Sequence, residues 1–318
     1  MCKHRSYAAG FVLTLFLVST GRAQAPDGIW VQKAPMLAIR GEIAAAALGD
    51  KLFAIGGSVA GKAVTRHEEY DPATNVWRER APLPEARDHV GVAALKGKIY
   101  AFGGFSASVH QDPGEGAFEY DPATDSWRTL ARMRRAAASL GVAVLDGQIH
   151  VIGGRGRDGA PVATHDIFDP GQGTWREGAP LPRARDHMAV VAVAGRIHAI
   201  GGRYGGPAER SAQHDVYDPT SNAWTSAAPL PTARSGVAGV AYRNMVLVLG
   251  GELPPEHTFP ENEAYDVAAG AWRTLAPMPG GRHGLGAAVV GASAFVVGGA
   301  LGPGGRGITD QLIMFTLP

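Results

Sequence analysis

Cysteine is nearly absent from this chain of 318 residues, which contains only Cys2. Cys2 lies in an N-terminal segment that we expect to be removed, so the mature protein would contain no thiol. A protein without cysteine forms no disulfide and no thiolate metal site, and it has no thiol nucleophile. Its stability must therefore come from the burial of apolar side chains.

Dense basic runs and familiar catalytic motifs are also missing. The chain has 30 lysines and arginines against 29 acidic residues, a formal net charge of +1. Nucleic-acid binding requires a clustered basic surface, so we do not expect a nucleic acid as the partner. No Gly-x-Ser-x-Gly nucleophile elbow, His-Glu-x-x-His zinc motif or phosphate-binding loop occurs in the sequence.

Only one long hydrophobic run is present, Ala8–Val18, and it follows Lys3 and Arg5. Spanning a bilayer takes about 20 apolar residues, so this run is too short for a membrane anchor, the alternative interpretation. Small and polar residues follow it, as in a secretory signal peptide. We predict a signal peptide over residues 1–25, cleaved near residues 23–25, and a secreted or periplasmic mature chain that is not embedded in a membrane.

Glycine and proline, by contrast, are abundant, with 44 and 22 copies. They accompany an internal repeat in which a double glycine begins 26 residues after each tryptophan. The six tryptophans are Trp30, Trp77, Trp127, Trp175, Trp224 and Trp272. The six double glycines begin at Gly56, Gly103, Gly153, Gly201, Gly250 and Gly298. A period of about 50 residues indicates a repeat architecture.

Each repeat is predicted to contain four short strands. In the second repeat, Val90–Leu95 and Lys98–Phe102 are two alternating apolar segments joined by Lys96-Gly97, a pair suited to a tight hairpin turn. The third strand ends in Tyr-Asp-Pro, where proline cannot continue a ladder, and the fourth begins at a tryptophan. A repeated antiparallel meander of four strands is a propeller blade.

The double glycine, the Tyr-Asp-Pro and the spaced tryptophan resemble the kelch repeat. The resemblance implies an all-β fold, a six-bladed kelch β-propeller with four antiparallel strands per blade. The expected repeats are 37–80, 81–130, 131–178, 179–227, 228–275, and 276–318 completed by 26–36. The last repeat lacks a tryptophan strand, so we expect Ile29–Lys33 to close it by pairing with the C-terminal strand. Closure removes exposed sheet edges.

The repeated residues are expected to be mainly structural. Tryptophan and tyrosine would wedge between sheets, and glycine would permit close backbone approach. An arginine also recurs ten residues after each tryptophan, except in the third repeat, which has Ala137 with Arg134 and Arg135 nearby. Structural and ligand-binding roles both remain open for these arginines. They are Arg40, Arg87, Arg185, Arg234 and Arg282.

Function is expected where the repeats differ, in the loops after the double glycines and in the residue pair after each arginine position. Kelch propellers commonly bind ligands on the face made by these segments. The pairs are Gly41-Glu42, Asp88-His89, Ala138-Ser139, Asp186-His187, Ser235-Gly236 and His283-Gly284. The predicted ligand-binding residues are Glu42, Arg87, Asp88, His89, Arg185, Asp186, His187, Arg203, Tyr204, Arg234, Ser235, Arg282 and His283.

Three histidines in alternate repeats, His89, His187 and His283, are predicted to converge on the channel. Three imidazoles could hold a metal, form a polar ring for a ligand, or bond locally to the backbone. The loops add two clusters of acidic residues and histidines and one basic patch. The alternative interpretation is that these side chains are simply solvated at the surface. The clusters are His110, Asp112, Glu115 and Glu119, and Glu256, His257, Glu261 and Glu263. The basic patch is Arg155, Arg157 and Arg203 with Tyr204, suited to an acidic partner.

The fold leaves two classes of function open. The first is a monomeric binding or scaffold module for a protein or a carbohydrate-like ligand, without a cofactor. The second is a sugar enzyme resembling N-acetylneuraminate epimerase, a sialic-acid mutarotase, with Asp88, His89, Asp186 and His187 as acid–base candidates. A copper enzyme resembling galactose oxidase is excluded, because its cofactor needs a cysteine crosslinked to a tyrosine.

Overall fold

The computed structural model describes residues 1–2, 27–206 and 208–318. These residues form strands and one short 3-10 turn, Pro303–Gly305. Within the described ranges, no helix has the length and apolar character needed to cross a membrane. The predicted signal peptide lies outside these ranges, apart from its first two residues.

The strands have nearly uniform lengths throughout the chain. In chain order they are β1 (Ile29–Lys33), β2 (Ala44–Leu48), β3 (Lys51–Ile55), β4 (Ser58–Val59), β5 (Lys62–Ala63), β6 (His67–Asp71), β7 (Val76–Glu79), β8 (Gly91–Leu95), β9 (Lys98–Phe102), β10 (Ala117–Asp121), β11 (Ser126–Thr129), β12 (Gly141–Leu145), β13 (Gln148–Ile152), β14 (His165–Asp169) and β15 (Thr174–Glu177). They continue as β16 (Ala189–Val193), β17 (Arg196–Ile200), β18 (His214–Asp218), β19 (Ala223–Ser226), β20 (Ala238–Tyr242), β21 (Met245–Leu249), β22 (Glu252–Leu253), β23 (His257–Thr258), β24 (Asn262–Asp266), β25 (Ala271–Thr274), β26 (Gly286–Val290), β27 (Ser293–Val297), β28 (Ala300–Gly302), β29 (Arg306–Ile308) and β30 (Leu312–Thr316).

Six antiparallel four-stranded sheets form the six blades, which confirms the predicted propeller. Blades one to five run as meanders, β2-β3-β6-β7 in the first blade. The sixth has the order β1-β30-β27-β26, so the N-terminal strand is its outer strand, as predicted. Trp30 lies opposite Phe315 in this pairing. Three short hairpins, β4-β5, β22-β23 and β28-β29, extend the loops of blades one, five and six.

The tight turns follow from the sequence. Between β8 and β9, Lys96 and Gly97 have φ angles of 49° and 78°, the left-handed values that a two-residue type I′ turn requires. Asp146-Gly147 and Ala194-Gly195 adopt the same conformation in the next two blades. These turns place the innermost strand of each blade against the second strand.

The tryptophans connect each blade to the chain that enters it. The Trp77 indole N–H donates to the carbonyl of Ala34 at 2.8 Å, and Trp127 donates to Ala81 at 2.9 Å. The other tryptophans repeat the bond, and Trp30 completes the circle by donating to Ala276 at 2.8 Å. A buried indole needs a partner for its N–H, so this repeated bond fixes the angle between neighbouring blades.

The double glycines allow adjacent blades to touch through their backbones. The Gly57 N–H donates to the carbonyl of Arg87 in the next blade at 2.8 Å, and the series closes with Gly299 donating to Arg40 at 3.0 Å. A β-carbon on Gly56 would lie 2.4 Å from that Arg87 carbonyl oxygen, and the φ of Gly56 is +61°. Only glycine fits such a contact without strain.

The core consists of apolar layers between neighbouring blades. One layer packs Leu52 and Tyr70 of the first blade against Phe295 and Val297 of the sixth. All four side chains are 1% exposed or less. Ring closure is therefore a packed apolar contact as well as a strand pairing.

Candidate functional site

A circle of backbone hydrogen bonds surrounds one end of the central channel, which we call the channel mouth. Its six residues occupy the same position in each blade, two after the arginine position. They are Glu42, His89, Ser139, His187, Gly236 and Gly284. The N–H of His89 donates to the Glu42 carbonyl at 3.0 Å, and the bond repeats blade by blade until the Ile43 N–H donates to Gly284 at 3.2 Å.

All six residues of the channel mouth have positive φ, from 49° at Glu42 to 69° at Gly236. Four of them are not glycine, although a left-handed conformation costs an L-residue about 1–2 kcal/mol. Such strain persists where the surrounding structure enforces it, and it clusters at functional sites. The side chains Glu42, His89, Ser139 and His187 are thus held at an energetic cost that glycine would avoid.

Ser139→Gly is accordingly expected to raise the free energy of unfolding by about 1 kcal/mol, because glycine relieves the strain at φ 53°. Urea unfolding would measure the change. The matched control is Gly236→Ala, which should destabilise the fold, since its new methyl group meets the β-carbon of His283 at 3.3 Å. A loss of stability in Ser139→Gly would show that the serine hydroxyl supports the channel mouth.

A cavity of about 480 Å³ opens beside the channel mouth. Its polar lining comes from Glu42, Glu252, His110, His187 and His283, together with the Ser58 hydroxyl. Ala60, Val109 and Ile308 supply apolar surface. The volume is in the range typical of small-molecule sites, roughly 300–1,000 Å³.

Two aspartates orient two of the histidines. Asp88 Oδ1 lies 2.6 Å from His89 Nδ1, and Asp186 Oδ1 lies 2.5 Å from His187 Nδ1. Both carboxylates are fully buried. A carboxylate at Nδ1 fixes the tautomer and leaves Nε2 to face other groups. The sequence placed each aspartate next to its histidine, and the structure brings the two pairs together at the channel mouth.

The two imidazoles have opposite pKa shifts. Burial alone would lower the pKa of His89, but the adjacent Glu42 and Asp88 carboxylates raise it to about 9. Burial and the charge of Arg203 lower the pKa of His187 to about 3. The charge of His89 in turn outweighs burial at Glu42 and holds the pKa of that carboxyl well below its usual range. At neutral pH, His89 is therefore a cation and His187 is neutral.

His110, rather than His283, joins His89 and His187. The ring centroid of His110 lies 4.9 Å from that of His89 and 5.3 Å from that of His187. His283 faces elsewhere, because its Nε2 accepts a hydrogen bond from the Gly305 N–H at 3.1 Å and its Nδ1 lies 3.6 Å from Glu42. Blade symmetry pointed to His283, whereas His110 comes from a variable loop whose path no repeat predicts.

The other members of the predicted loop clusters lie apart. Glu115 pairs with Arg157 at 3.0 Å, Glu119 pairs with Arg128, and Asp112 accepts from Ser106. In the fifth blade, Glu263 pairs with Arg234, whereas His257 is exposed. Of the two predicted loop clusters, the structure brings only His110 to the histidines of the channel mouth.

The recurring arginines lie inside the blades. Arg40, Arg185, Arg234 and Arg282 are at most 1% exposed, and Arg87 is 5% exposed. Arg185 pairs with Asp215 at 2.7 Å, and Arg282 donates to Gln311 at 2.8 Å and to the Gly298 carbonyl at 3.3 Å. Of the two roles left open by the sequence, their burial and partners favour the structural one.

Two arginines of the predicted basic patch share the single carboxylate of Asp186. Arg203 Nε donates to Asp186 Oδ1 at 2.8 Å, and Arg155 Nε donates to Oδ2 at 3.1 Å. Tyr204 stacks under Arg183, with 3.3 Å between the guanidinium carbon and the ring centroid, and accepts a bond from Ser211. Ser235 is 1% exposed and its hydroxyl lacks a hydrogen-bond partner. Among the arginines of this patch, Arg203 contacts both His110 and His187.

The comparisons with known proteins agree with the blade architecture. The Kelch motif matches residues 39–84, 86–134, 136–182 and 184–231, more than half of the chain. No curated protein matches significantly. The solved structure of YjhT superposes with a TM-score of 0.76 at 19% identity, covering 87% of this chain and 95% of that one. At that identity the likeness shows the fold alone. The motif matches and the six four-stranded blades place this chain in the kelch-motif family of β-propellers.

Proposed function

We propose that this kelch propeller is a binding module whose cavity at the channel mouth takes a neutral or cationic carbohydrate-like ligand. The observation that carries the proposal is the cavity of about 480 Å³ with two carboxylates, Glu42 and Glu252, in its lining. Carboxylate oxygens accept hydrogen bonds from paired hydroxyl groups, and charge-assisted bonds of this kind are the strong ones. Val109 and Ile308 offer apolar contact for the C–H face of a sugar ring.

The charge of the lining narrows the ligand class. No lysine or arginine is among the lining residues, and His187 is neutral at physiological pH because burial and Arg203 lower its pKa to about 3. The His89 cation offsets the charge of Glu42 at 2.9 Å, whereas a carboxylated sugar would face Glu252 with no lysine or arginine in the lining to offset it. Neutral sugars and amino sugars therefore fit this cavity better than sialic acid does.

A thermal-shift screen tests the proposal with the purified mature chain. The panel holds neutral sugars, amino sugars and carboxylated sugars at matched concentrations. A ligand present at 100 times its Kd stabilises the folded state by about 2.7 kcal/mol, so a true ligand raises Tm by several degrees. We expect hits among the neutral or amino sugars. A panel without hits, or with hits only among carboxylated sugars, would contradict the proposed ligand class.

Acid–base catalysis on a sugar is the second candidate, and one observation favours it. His89 and His187 are close together, with ring centroids 4.9 Å apart, and their pKa values are shifted in opposite directions. Such a separated pair supplies an acid and a base. Polarimetry of freshly dissolved sugar hits would detect accelerated mutarotation. Unchanged rates would leave the binding module as the function.

We further propose that the protein works outside the cytoplasm. The charged start, short apolar run and small residues of positions 1–25 support export. The mass of the exported chain would reveal removal of this segment, and an intact N-terminus would refute it.

A further inference from the structure

Three imidazoles meet at one point beside the channel mouth. His89, His110 and His187 each offer a ring nitrogen, and these nitrogens all lie within 4.8 Å of one another. His110 Nε2 lies 3.2 Å from His187 Nε2. With Zn–N bonds of about 2.0–2.1 Å, two ligands of a tetrahedral site are about 3.3 Å apart. The His110–His187 pair already has this spacing.

The aspartates prepare two of these nitrogens for coordination. Asp88 and Asp186 occupy the Nδ1 atoms of His89 and His187, which leaves each Nε2 as the remaining ring nitrogen. A carboxylate behind a ligating histidine is the usual outer-shell arrangement of metal sites, since it fixes the ring and increases its basicity. Local backbone bonding of the histidines would need no such buried acids.

His89 Nε2 supplies an independent indication. This atom is buried and has no hydrogen-bond partner with suitable geometry, although Glu42 Oε2 lies 2.9 Å away. In the metal-free protein the charge of Glu42 stabilises the His89 cation, and metal binding would release the His89 proton. An ion bound by both atoms would satisfy His89 and gain Glu42 as a carboxylate ligand.

The charges around this point can accept a cation. Asp88, Asp186 and Glu42 contribute three carboxylates, whereas Arg203 and Arg155 contribute two positive charges once the bound ion has displaced the proton of His89. Arg203 Nη2 lies 3.1 Å from His187 Nε2 and 3.4 Å from His110 Nε2, but its Nε is bonded to Asp186. A metal ion would replace the Nη2 contact at the two imidazoles, while Asp186 continues to neutralise the guanidinium.

We propose that His89, His110 and His187 bind a divalent transition-metal ion, with Glu42 as a fourth ligand. Imidazole nitrogens suit zinc, copper and nickel, whereas magnesium and calcium prefer all-oxygen sites. Among these ions, the carboxylate and the tetrahedral spacing favour Zn²⁺. The proposed zinc site shares Glu42, His110 and His187 with the cavity lining, but it needs no carbohydrate-like ligand in order to form. Coordination would occupy the Nε2 atoms that acid–base catalysis requires, so metal binding also favours the binding module over the enzyme.

Zinc titration of tag-free, chelator-treated protein tests the site. Calorimetry is expected to show one Zn²⁺ per chain, and Co²⁺ is expected to give the absorption spectrum of a tetrahedral nitrogen–oxygen site. His110→Ala should lower the Zn²⁺ affinity at least tenfold without affecting Tm in the absence of metal, because His110 lies in an exposed loop. Asp88→Asn should weaken binding by about 10–100-fold, as expected for an outer-shell partner.

His257→Ala is the matched control, since His257 is an exposed loop histidine outside the cluster. It should bind Zn²⁺ as the unmodified protein does. The proposal fails if the unmodified protein binds no Zn²⁺ or if His110→Ala binds it equally well. The sugar screen can be run in the presence of a chelator, which removes Zn²⁺ from the protein. A failure of the sugar proposal can therefore be distinguished from a failure of the zinc proposal.

Discussion

A chain that begins at Met36 is expected to aggregate or to lose its cooperative thermal transition. The truncation removes β1, and with it the pairing to β30, the Trp30–Phe315 contact at 5.0 Å and the Trp30 bond to Ala276. Truncating a fully buried Phe or Trp costs about 3–5 kcal/mol. The loss at the partly buried Trp30 is smaller, but the loss of the β1–β30 pairing adds to it, against a total stability of about 5–15 kcal/mol for typical domains. The exposed edge of β30 adds a template for aggregation.

The matched control for this truncation is a chain that begins at Asp27. It keeps β1 and the Asp27 carbonyl that accepts the Ala276 N–H at 3.0 Å. Differential scanning calorimetry should show the same transition for this chain as for the mature protein. A normal transition for the chain starting at Met36 would contradict closure by the N-terminal strand.

Acidification is expected to destabilise the fold well above the range in which carboxylates titrate. Five histidines are at most 3% exposed, and each has a pKa lowered to about 3 or 4, chiefly by burial. They are His67, His150, His165, His198 and His214. Because their folded-state pKa lies below the ordinary value of 6.5, the unfolded chain binds more protons as the pH falls below 6.5. Stability should therefore fall as the pH drops from 6.5 toward 4, by at most about 1.4 kcal/mol per pH unit for each histidine that titrates independently.

Hydrogen bonding explains why these histidines remain neutral. His165 Nδ1–H donates to the Ala179 carbonyl at 3.0 Å, so its Nε2 accepts from His150 Nδ1–H at 2.8 Å. Protonation of both rings would place two N–H groups against each other in a buried layer. His198 and His214 repeat the pair in the next blade, also at 2.8 Å.

The fifth blade supplies an uncharged replacement for each histidine pair. Leu247 and Asn262 occupy the equivalent positions there, and the Asn262 amide donates to the Ala276 carbonyl at 3.2 Å. We expect His150→Leu with His165→Asn, combined with His198→Leu and His214→Asn, to flatten the loss of stability between pH 6.5 and about pH 4. Urea unfolding across this range measures it. An unchanged slope would assign the effect to other groups.

In the metal-free protein, His89 produces the opposite dependence on the alkaline side. Glu42 and Asp88 raise its pKa to about 9 against the effect of burial. Its contribution is therefore complete below pH 6.5 and is lost as the pH rises through 9. Maximum stability is thus expected near pH 6.5 to 7.

The sequence predicted the blades because their determinants are local and repeated. The Lys96-Gly97 turn, the double glycines and the tryptophans each act within one blade or on its immediate neighbour. Trp30 also predicted the ring closure, because Arg40 and Gly56 follow it at the same spacings as their equivalents follow the other tryptophans. Six copies of the tryptophan and of the double glycine make chance agreement negligible, and the four strands per blade appeared at nearly the predicted bounds.

The site was less predictable because it depends on single loops. His110 lies in a loop whose length and sequence differ from blade to blade. The symmetry of the blades therefore favoured His283 as the third histidine. The repeated arginines illustrate the converse: their recurrence reflects buried pairing such as Arg185 with Asp215, which a sequence cannot distinguish from ligand contact. Asp88 and Asp186 were identified as neighbours of histidine, and the structure adds that they orient the rings.

Calorimetric titration of a sugar hit into Glu252→Gln and Glu256→Gln tests the cavity as the binding site most directly. Glu252 lines the cavity, whereas Glu256 lies exposed in the same loop and outside the lining. Both variants remove one negative charge, so their comparison isolates the position of the carboxylate. We predict at least a tenfold loss of affinity for Glu252→Gln, equal to about 1.4 kcal/mol, and unchanged affinity for Glu256→Gln. Equal affinities in both variants and the unmodified protein would contradict binding at the channel mouth.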